Sequence, residues 1–240
     1  MILFRTICII QARLGSQRFP RKILAYLCGK PVLAHVVDRA KAIRGVDAVV
    51  VACPESDAET LDALGLGVPI VGVTIGGDEN DVLSRFAATA EAYPANCYVR
   101  LTGDCPLLAP DLAEQVISRV RQGAFYACTR HDGWPFGWPD GMDIEAFTVG
   151  ALLDADRDAT DPADREHVTP HIRRNWLTVG VPCPAQWPAG AKLSIDTPAD
   201  LDYARSVMVR LPTGAHGWEA TYRAVIAAEA ARERWQCRMS

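Results

Sequence analysis

The stretch TICIIQARLGSQRFPRK, Thr6–Lys22, decides the fold in its first half and raises a chemical question in its second. TICIIQA is a short apolar run, rich in isoleucine and without polar alternation. That is the pattern of a strand buried on both faces, which belongs in a sheet with helices on either side. The apolar run stops at Gln11. Arg13, Arg18, Arg21 and Lys22 then crowd into a loop that also holds Gly15, Ser16 and Pro20.

Outward from this stretch, strand and helix patterns alternate. PVLAHVVDRAKAI places Val32, Leu33, Val36, Val37 and Ala40 at helical spacing, with Pro31 as the first helical residue. VDAVVVAC reads as a strand. SDAETLDAL reads as a helix with Ser56 as N-cap and Glu59 completing a capping box. VPIVGVTI, NCYVRLTGD and AFYACTR are further strands, separated by the helices DENDVLSRFAATAEAY and APDLAEQVISRVRQG, the second closed by Gly123. The alternation predicts an α/β fold with a mostly parallel, doubly wound sheet, in one domain spanning 1–240. HDGWPFGWPDGMDIEAF then breaks the pattern and reads as a loop or short hairpin. After it come helices around TVGALLDADRDA and DPADREHVTPHIRRNW, a last strand KLSID, and a helix from Thr197 or Pro198. The tail, GWEATYRAVIAAEAARERW, is amphipathic.

Composition narrows the class. With 49% hydrophobic and 22% charged residues the chain is an ordinary globular protein, and a net charge of −4 gives no polycation for nucleic acid. Its eight cysteines stand singly, without zinc spacing, and are expected to be buried reduced thiols. Met1–Ile10 is too short for a signal peptide, and no apolar run approaches the roughly 20 residues that span a bilayer. The expectation is a soluble, cytoplasmic protein that does not engage a membrane.

Ligands of doubly wound folds bind beyond the carboxyl ends of the strands. Three segments fall there: the basic loop, TGDCP and SIDTPAD. Phosphate chains need several cations and a backbone that allows close approach, and Arg13, Arg18 and Lys22 around Gly15 provide both. The loop contains neither GxxxxGK[ST] nor GxGxxG, and charge alone also fits a solvated surface loop. Asp104 and Asp196 stand at two strand ends facing this loop. Two carboxylates opposite a polyphosphate are what a Mg²⁺ site needs, since phosphates and water complete its octahedron. Asp196 before Thr-Pro also suits an ordinary helix start, and Asp104 an ordinary turn. Asp200 reads as a first-turn residue favoured by the helix dipole.

IIQARLGSQRFPRK, GKPVLAHVVDRA, RLTGDCPLL, GMDIEAF, REHVTPHI and SIDTPADLDYAR together resemble the cytidylyltransferases of the spore-coat polysaccharide biosynthesis type, relatives of the acylneuraminate and 3-deoxy-manno-octulosonate cytidylyltransferases. The resemblance runs from about Ile7 to Leu211. It implies a nucleotidyltransferase fold of the glycosyltransferase-A kind, a homodimer, and Mg²⁺-dependent transfer of CMP from CTP with release of pyrophosphate. By position, Gln11, Ala12, Arg13, Gly15, Ser16, Arg18, Lys22, Arg100, Thr102 and Gly103 match nucleotide-binding positions, and Asp104 and Asp196 match the metal carboxylates. Arg13, Arg18, Lys22 and Asp104 are the expected catalytic set. The chain departs from the pattern at Gln17, where Thr is common, and at Arg21, where Gly is common.

Asp143, Glu145, Arg165, Glu166 and His167 are the candidate acceptor-binding residues, in an inserted acceptor and dimerisation region at about 131–176. Within REHVTPHI, Glu166 also suits a pair with an arginine one turn away, and His167 a buried structural role. Trp134 and Trp138 suit stacking on a ligand or anchoring of their loop. His35 and His171 are assigned to structure. The DAD at 154–156 sits in mid-helix and is a poor match to a strand-end DxD, which argues against a sugar-nucleotide glycosyltransferase. A glycosyltransferase or use of UTP or GTP on the same fold, and a non-catalytic nucleotide-binding subunit, remain the other readings.

Overall fold

The computed structural model describes residues 4–130 and 137–239. Residues 133–136 of the Trp-rich loop, Trp134 among them, therefore lie outside the described residues. In chain order the elements are β1 (Thr6–Gln11), a 3-10 turn (Lys22–Leu24), β2 (Tyr26–Leu27), β3 (Lys30–Pro31), α1 (Val32–Lys41), β4 (Ala48–Cys53), α2 (Glu55–Asp62), β5 (Ile70–Gly72), α3 (Val82–Ala92), β6 (Cys97–Thr102) and α4 (Pro110–Arg121). They continue with β7 (Tyr126–Cys128), β8 (Glu145–Thr148), α5 (Val149–Asp158), α6 (Pro162–His167), α7 (Pro170–Asn175), β9 (Thr178–Gly180), α8 (Pro198–Met208) and α9 (Trp218–Met239).

The sheet has the order β5-β4-β1-β6-β8-β7-β9. Every pairing is parallel except those of β8, which runs antiparallel between β6 and β7. β1 lies in the middle of the parallel half, and its residues alternate between the two faces. Ile7 and Ile9 pack with Phe86 of α3 and Leu152 of α5, while Cys8 and Ile10 pack with Val36 of α1, Leu112 of α4 and Val225 of α9. All four are fully buried, and burial of each isoleucine contributes roughly 1.5–3 kcal/mol. The isoleucine run has no polar alternation because neither face meets water.

Several expectations are corrected. α2 begins at Glu55 with Pro54 ahead of it and no side-chain cap. Ser56 lies inside the helix and its hydroxyl donates to the Glu79 carboxylate, so no capping box with Glu59 forms. KLSID makes only one bridge, Lys192 with Asp140, because it crosses the top of the sheet between two loops and joins no strand edge. β8 lies at the end of the segment read as a loop or short hairpin, and β9 is a strand that the sequence pattern does not indicate. The single helix expected over DPADREHVTPHIRRNW is two, α6 and α7. They are separated at Val168, which has φ 68, and at Pro170, which cannot donate to a continuing helix. Cys28 is exposed where buried thiols were expected. It forms the turn between β2 and β3 with Gly29, at φ 45 and φ 94. Pro31 stands one place ahead of α1.

Other expectations hold. Gly123, at φ 106, follows α4, and α8 opens at Pro198 with a reciprocal capping box between Thr197 and Asp200. His35 is structural, with its Nε2 2.6 Å from the Leu27 carbonyl oxygen. Trp138 is a loop anchor: its indole packs against Trp187 and Trp218 and donates to the Val181 carbonyl at 2.9 Å.

Candidate active site

The basic loop is shaped by its backbone. The Leu14 N–H donates to the Asp57 carboxylate of α2 at 2.7 Å, and the Arg21 N–H donates back to the Leu14 carbonyl at 3.1 Å. The loop thus closes on itself above the carboxyl end of β1. Arg21 takes the left-handed conformation, φ 56, which accounts structurally for the glycine common at this position in the family it resembles. A Cβ at Gly15 would meet no protein atom within 4 Å, so the space beside it is open to a ligand. At Gly103 a Cβ would lie 3.2 Å from the Gln11 carbonyl oxygen; a small residue is what lets β6 leave the sheet so close to β1.

Asp104 follows β6 and Asp196 precedes α8, and the two carboxylates converge on one cation. Lys22 Nζ lies 2.5 Å from Asp104 Oδ2 and 2.9 Å from Asp196 Oδ1. Arg18 reaches the same Asp196 oxygen at 3.1 Å, and Lys192 holds the other at 2.8 Å. Burial alone would raise the Asp196 carboxyl, but Lys192 and Lys22 outweigh it and hold it far below the usual carboxylate range. Burial likewise opposes the charge on Lys22, yet Asp104 and Asp196 keep its ammonium above the usual lysine value.

Two clefts meet at this pair. The first, about 630 Å³, is lined by the basic loop, including Gln11, Ala12, Arg13, Gly15, Ser16 and Lys22, and by Gly103, Asn80 and Glu166. The second, about 670 Å³, takes in Arg100, Asp143, Glu145, His167, Thr169 and Arg173. Arg18, Thr102, Asp104 and Asp196 border both.

Glu145 opens β8, and the antiparallel course of that strand puts it beside Arg100, at the end of the sheet where β6 and β7 finish. It accepts from Tyr126 at 2.5 Å, from Thr169 at 2.6 Å and from the Arg100 guanidinium. Burial raises its carboxyl, but Arg100 and the two hydroxyls prevail and hold it below the usual value. Arg100, expected at a nucleotide-binding position, also donates to Gln11 Oε1 at 3.1 Å and lines the second cleft. Burial pushes the Asp143 carboxyl up.

Two predicted acceptor residues sit elsewhere. Glu166 faces the first cleft, 3.8 Å from Arg13. Arg165 borders neither described cleft; it donates to Asp81 at 2.9 Å, to Asp156 at 2.6 Å and to Ser84, and so ties α6 to the start of α3 and to α5. The Asp154–Asp156 motif is spent on pairs with Arg157 and Arg165. Asn80, which sequence reasoning missed, accepts from Arg13 at 3.2 Å. Its signal was positional, between a strand end and a helix start, as for Asp104 and Asp196.

Among the described residues no group of three or more His, Cys, Asp or Glu side chains is placed to hold a metal ion. Mg²⁺ nevertheless fits Asp104 and Asp196. It takes one or two carboxylates and completes its shell with phosphate and water oxygens, and these two carboxylates already converge on a single cation. No helix among the described residues is long and apolar enough to cross a membrane.

The mostly parallel sheet, with a basic loop after β1 and a carboxylate pair at two strand ends, has the nucleotidyltransferase fold. The sequence family described as cytidylyltransferase matches residues 7–211, and the chain belongs to it. It is 31% identical over 210 residues to the spore coat polysaccharide biosynthesis protein SpsF of Bacillus subtilis, covering 83% of this chain and 84% of that one. It is 40% identical over 120 residues, about half of each chain, to a 3-deoxy-manno-octulosonate cytidylyltransferase of Anaeromyxobacter. A cytidylyltransferase structure from Leptospira borgpetersenii superposes with a TM-score of 0.81 at 26% identity, covering 96% of both chains.

Proposed function

We propose that the protein is a Mg²⁺-dependent cytidylyltransferase that moves CMP from CTP to an oxygen of a sugar or phosphonate acceptor and releases pyrophosphate, in surface polysaccharide or related biosynthesis. The observation that carries this reading is the shared border of the two clefts. A triphosphate along the basic loop and an acceptor in the second cleft would meet at Asp104 and Asp196.

The acceptor oxygen attacks the α-phosphorus of CTP in line. The bond from that phosphorus to the bridging oxygen of the β-phosphate breaks, pyrophosphate leaves, and the acceptor's proton passes to solvent. Arg13, Arg18 and Lys22 hold the phosphate chain and offset the charge that builds on the leaving pyrophosphate. Asp104 and Asp196 would hold Mg²⁺, which would supply Lewis acidity to the phosphoryl group when bound. Glu145 fixes Arg100 and Thr169 as a preorganised wall, and the region at about 131–176 contributes the acceptor side through Asp143, His167 and Arg173. Preference for cytosine is supported by the named activities of the relatives.

The test is thermal unfolding with CTP, UTP, GTP and ATP, with and without Mg²⁺, followed by pyrophosphate release in an acceptor screen. A ligand at 100 times its Kd adds about 2.7 kcal/mol of stability. A Mg²⁺-enhanced shift for CTP alone is the expected result. A shift for another nucleotide would change the donor, and no shift with any of them would overturn the reading.

A further inference from the structure

Lys22 and a divalent cation cannot share the Asp104–Asp196 pair. A Mg²⁺ coordinated by these oxygens sits about 2.0–2.1 Å from each. Lys22 Nζ is already bonded to one oxygen of each carboxylate, at 2.5 and 2.9 Å, with a side chain that is only 12% exposed. Both cations would then crowd into one small volume and repel strongly.

The backbone under Lys22 is fixed. Its N–H donates to the Phe19 carbonyl, and its own carbonyl accepts from Ala25, each at 3.1 Å. Release of the carboxylates by Lys22 is therefore a swing of its four-carbon side chain, with the backbone in place, while Arg18 and Lys192 still reach Asp196. A half-buried ammonium that leaves two carboxylates needs another anion, and the cleft it points into is the one proposed for the triphosphate.

We infer that Lys22 determines which form of metal the site takes: it excludes the free divalent cation from Asp104 and Asp196 and yields only when a polyphosphate arrives to receive its ammonium. This inference rests on the reading of Asp104 and Asp196 as metal carboxylates. Chelation of metal by the nucleotide in solution would also couple the two ligands, so the discriminating measurement uses metal alone.

The probe is Mn²⁺ without nucleotide, titrated into the full chain and followed by electron paramagnetic resonance, on wild type, Lys22→Met and Lys22→Gln. Thermal unfolding of each variant verifies that it is folded, and Lys22→Gln keeps a polar head in case the methionine variant does not fold. The expected result is one Mn²⁺ site in the variants, abolished by adding Asp104→Asn, that is tighter than in wild type by roughly 5- to 150-fold, the usual span of coupling between two ligands. Equal Mn²⁺ affinity in wild type and both variants, or no Mn²⁺ binding in any of them, overturns the inference. Failure of the metal reading is separate: Mg²⁺ would then add nothing to CTP binding in wild type.

Discussion

Ile195 donates its backbone N–H to the carbonyl oxygen of Asp104 at 2.9 Å. The two segments that carry the paired carboxylates are thus bonded to each other at Asp104 itself and one residue before Asp196. On the other side of the same segment, Leu193 donates to the Asp140 carbonyl at 2.6 Å. Three backbones lie side by side, so main-chain bonds set the spacing of the segments from which the two carboxylates project.

Asp104→Asn and Asp196→Asn are therefore expected to keep the fold and lose the chemistry. We expect pyrophosphate release to fall by about 10²–10³-fold or more, the scale for removing one preorganised electrostatic group. Circular dichroism should be unchanged. A folded Asp104→Asn enzyme turning over at the wild-type rate would remove that carboxylate from the mechanism.

Gly141→Ala strikes the same stack. Gly141 has φ 97, and a Cβ there would lie 2.4 Å from backbone atoms of Leu193 and Ser194. Left-handed strain and overpacking together predict a loss of roughly 2–4 kcal/mol, read as a lower urea midpoint. A midpoint equal to that of wild type would mean that the Asp140–Leu193 contact is looser than the structure has it.

Glu145→Gln would leave the Arg100 guanidinium facing a neutral amide in a site where both side chains are mostly buried. Breaking such a pair costs about 3–5 kcal/mol. A cost like that of an exposed pair, under about 1 kcal/mol, would show that water reaches the network.

Acid should weaken the protein through Asp196, Asp200 and Glu145, whose carboxyls are held below their usual values. Groups with depressed folded values add stability that is fully present above the unfolded value, about 3.9 for Asp and 4.3 for Glu, and lost as pH falls through the folded one. Asp143 and Asp111, raised mainly by burial, act in the opposite sense, and their contribution is lost as pH rises through their folded values. Urea unfolding at pH 7, 5 and 3 should show Asp196→Asn closest to wild type at pH 3. A gap that does not narrow in acid would contradict the ion-pair account of Asp196.

The parallel half of the sheet was legible because Ile7–Ile10, Val49–Val51 and Cys97–Val99 are buried apolar runs with one reading. The carboxylates were legible because each follows an apolar run and precedes a proline or Thr-Pro. β8 was not: its four residues begin with a glutamate whose charge is answered by Arg100 of β6, a strand adjacent in the sheet but remote in sequence, and no local pattern encodes that partner. Arg165 and Glu166 are adjacent in sequence yet point to different elements, since a helix turns its side chains by about 100° per residue. Asn80 was hidden by its short polar neighbours, and Ser56 by a proline that already ends the preceding strand.

The two-residue turn at Cys28 and Gly29 has a practical consequence for any assembly measurement. Cys28 is the one exposed thiol among the described residues whose burial is assigned. Air oxidation can join two copies there through a disulfide, giving a covalent pair on a non-reducing gel that says nothing about non-covalent association. The state of association should be read under reducing conditions, or on Cys28→Asn, a replacement that tolerates the left-handed backbone at that position.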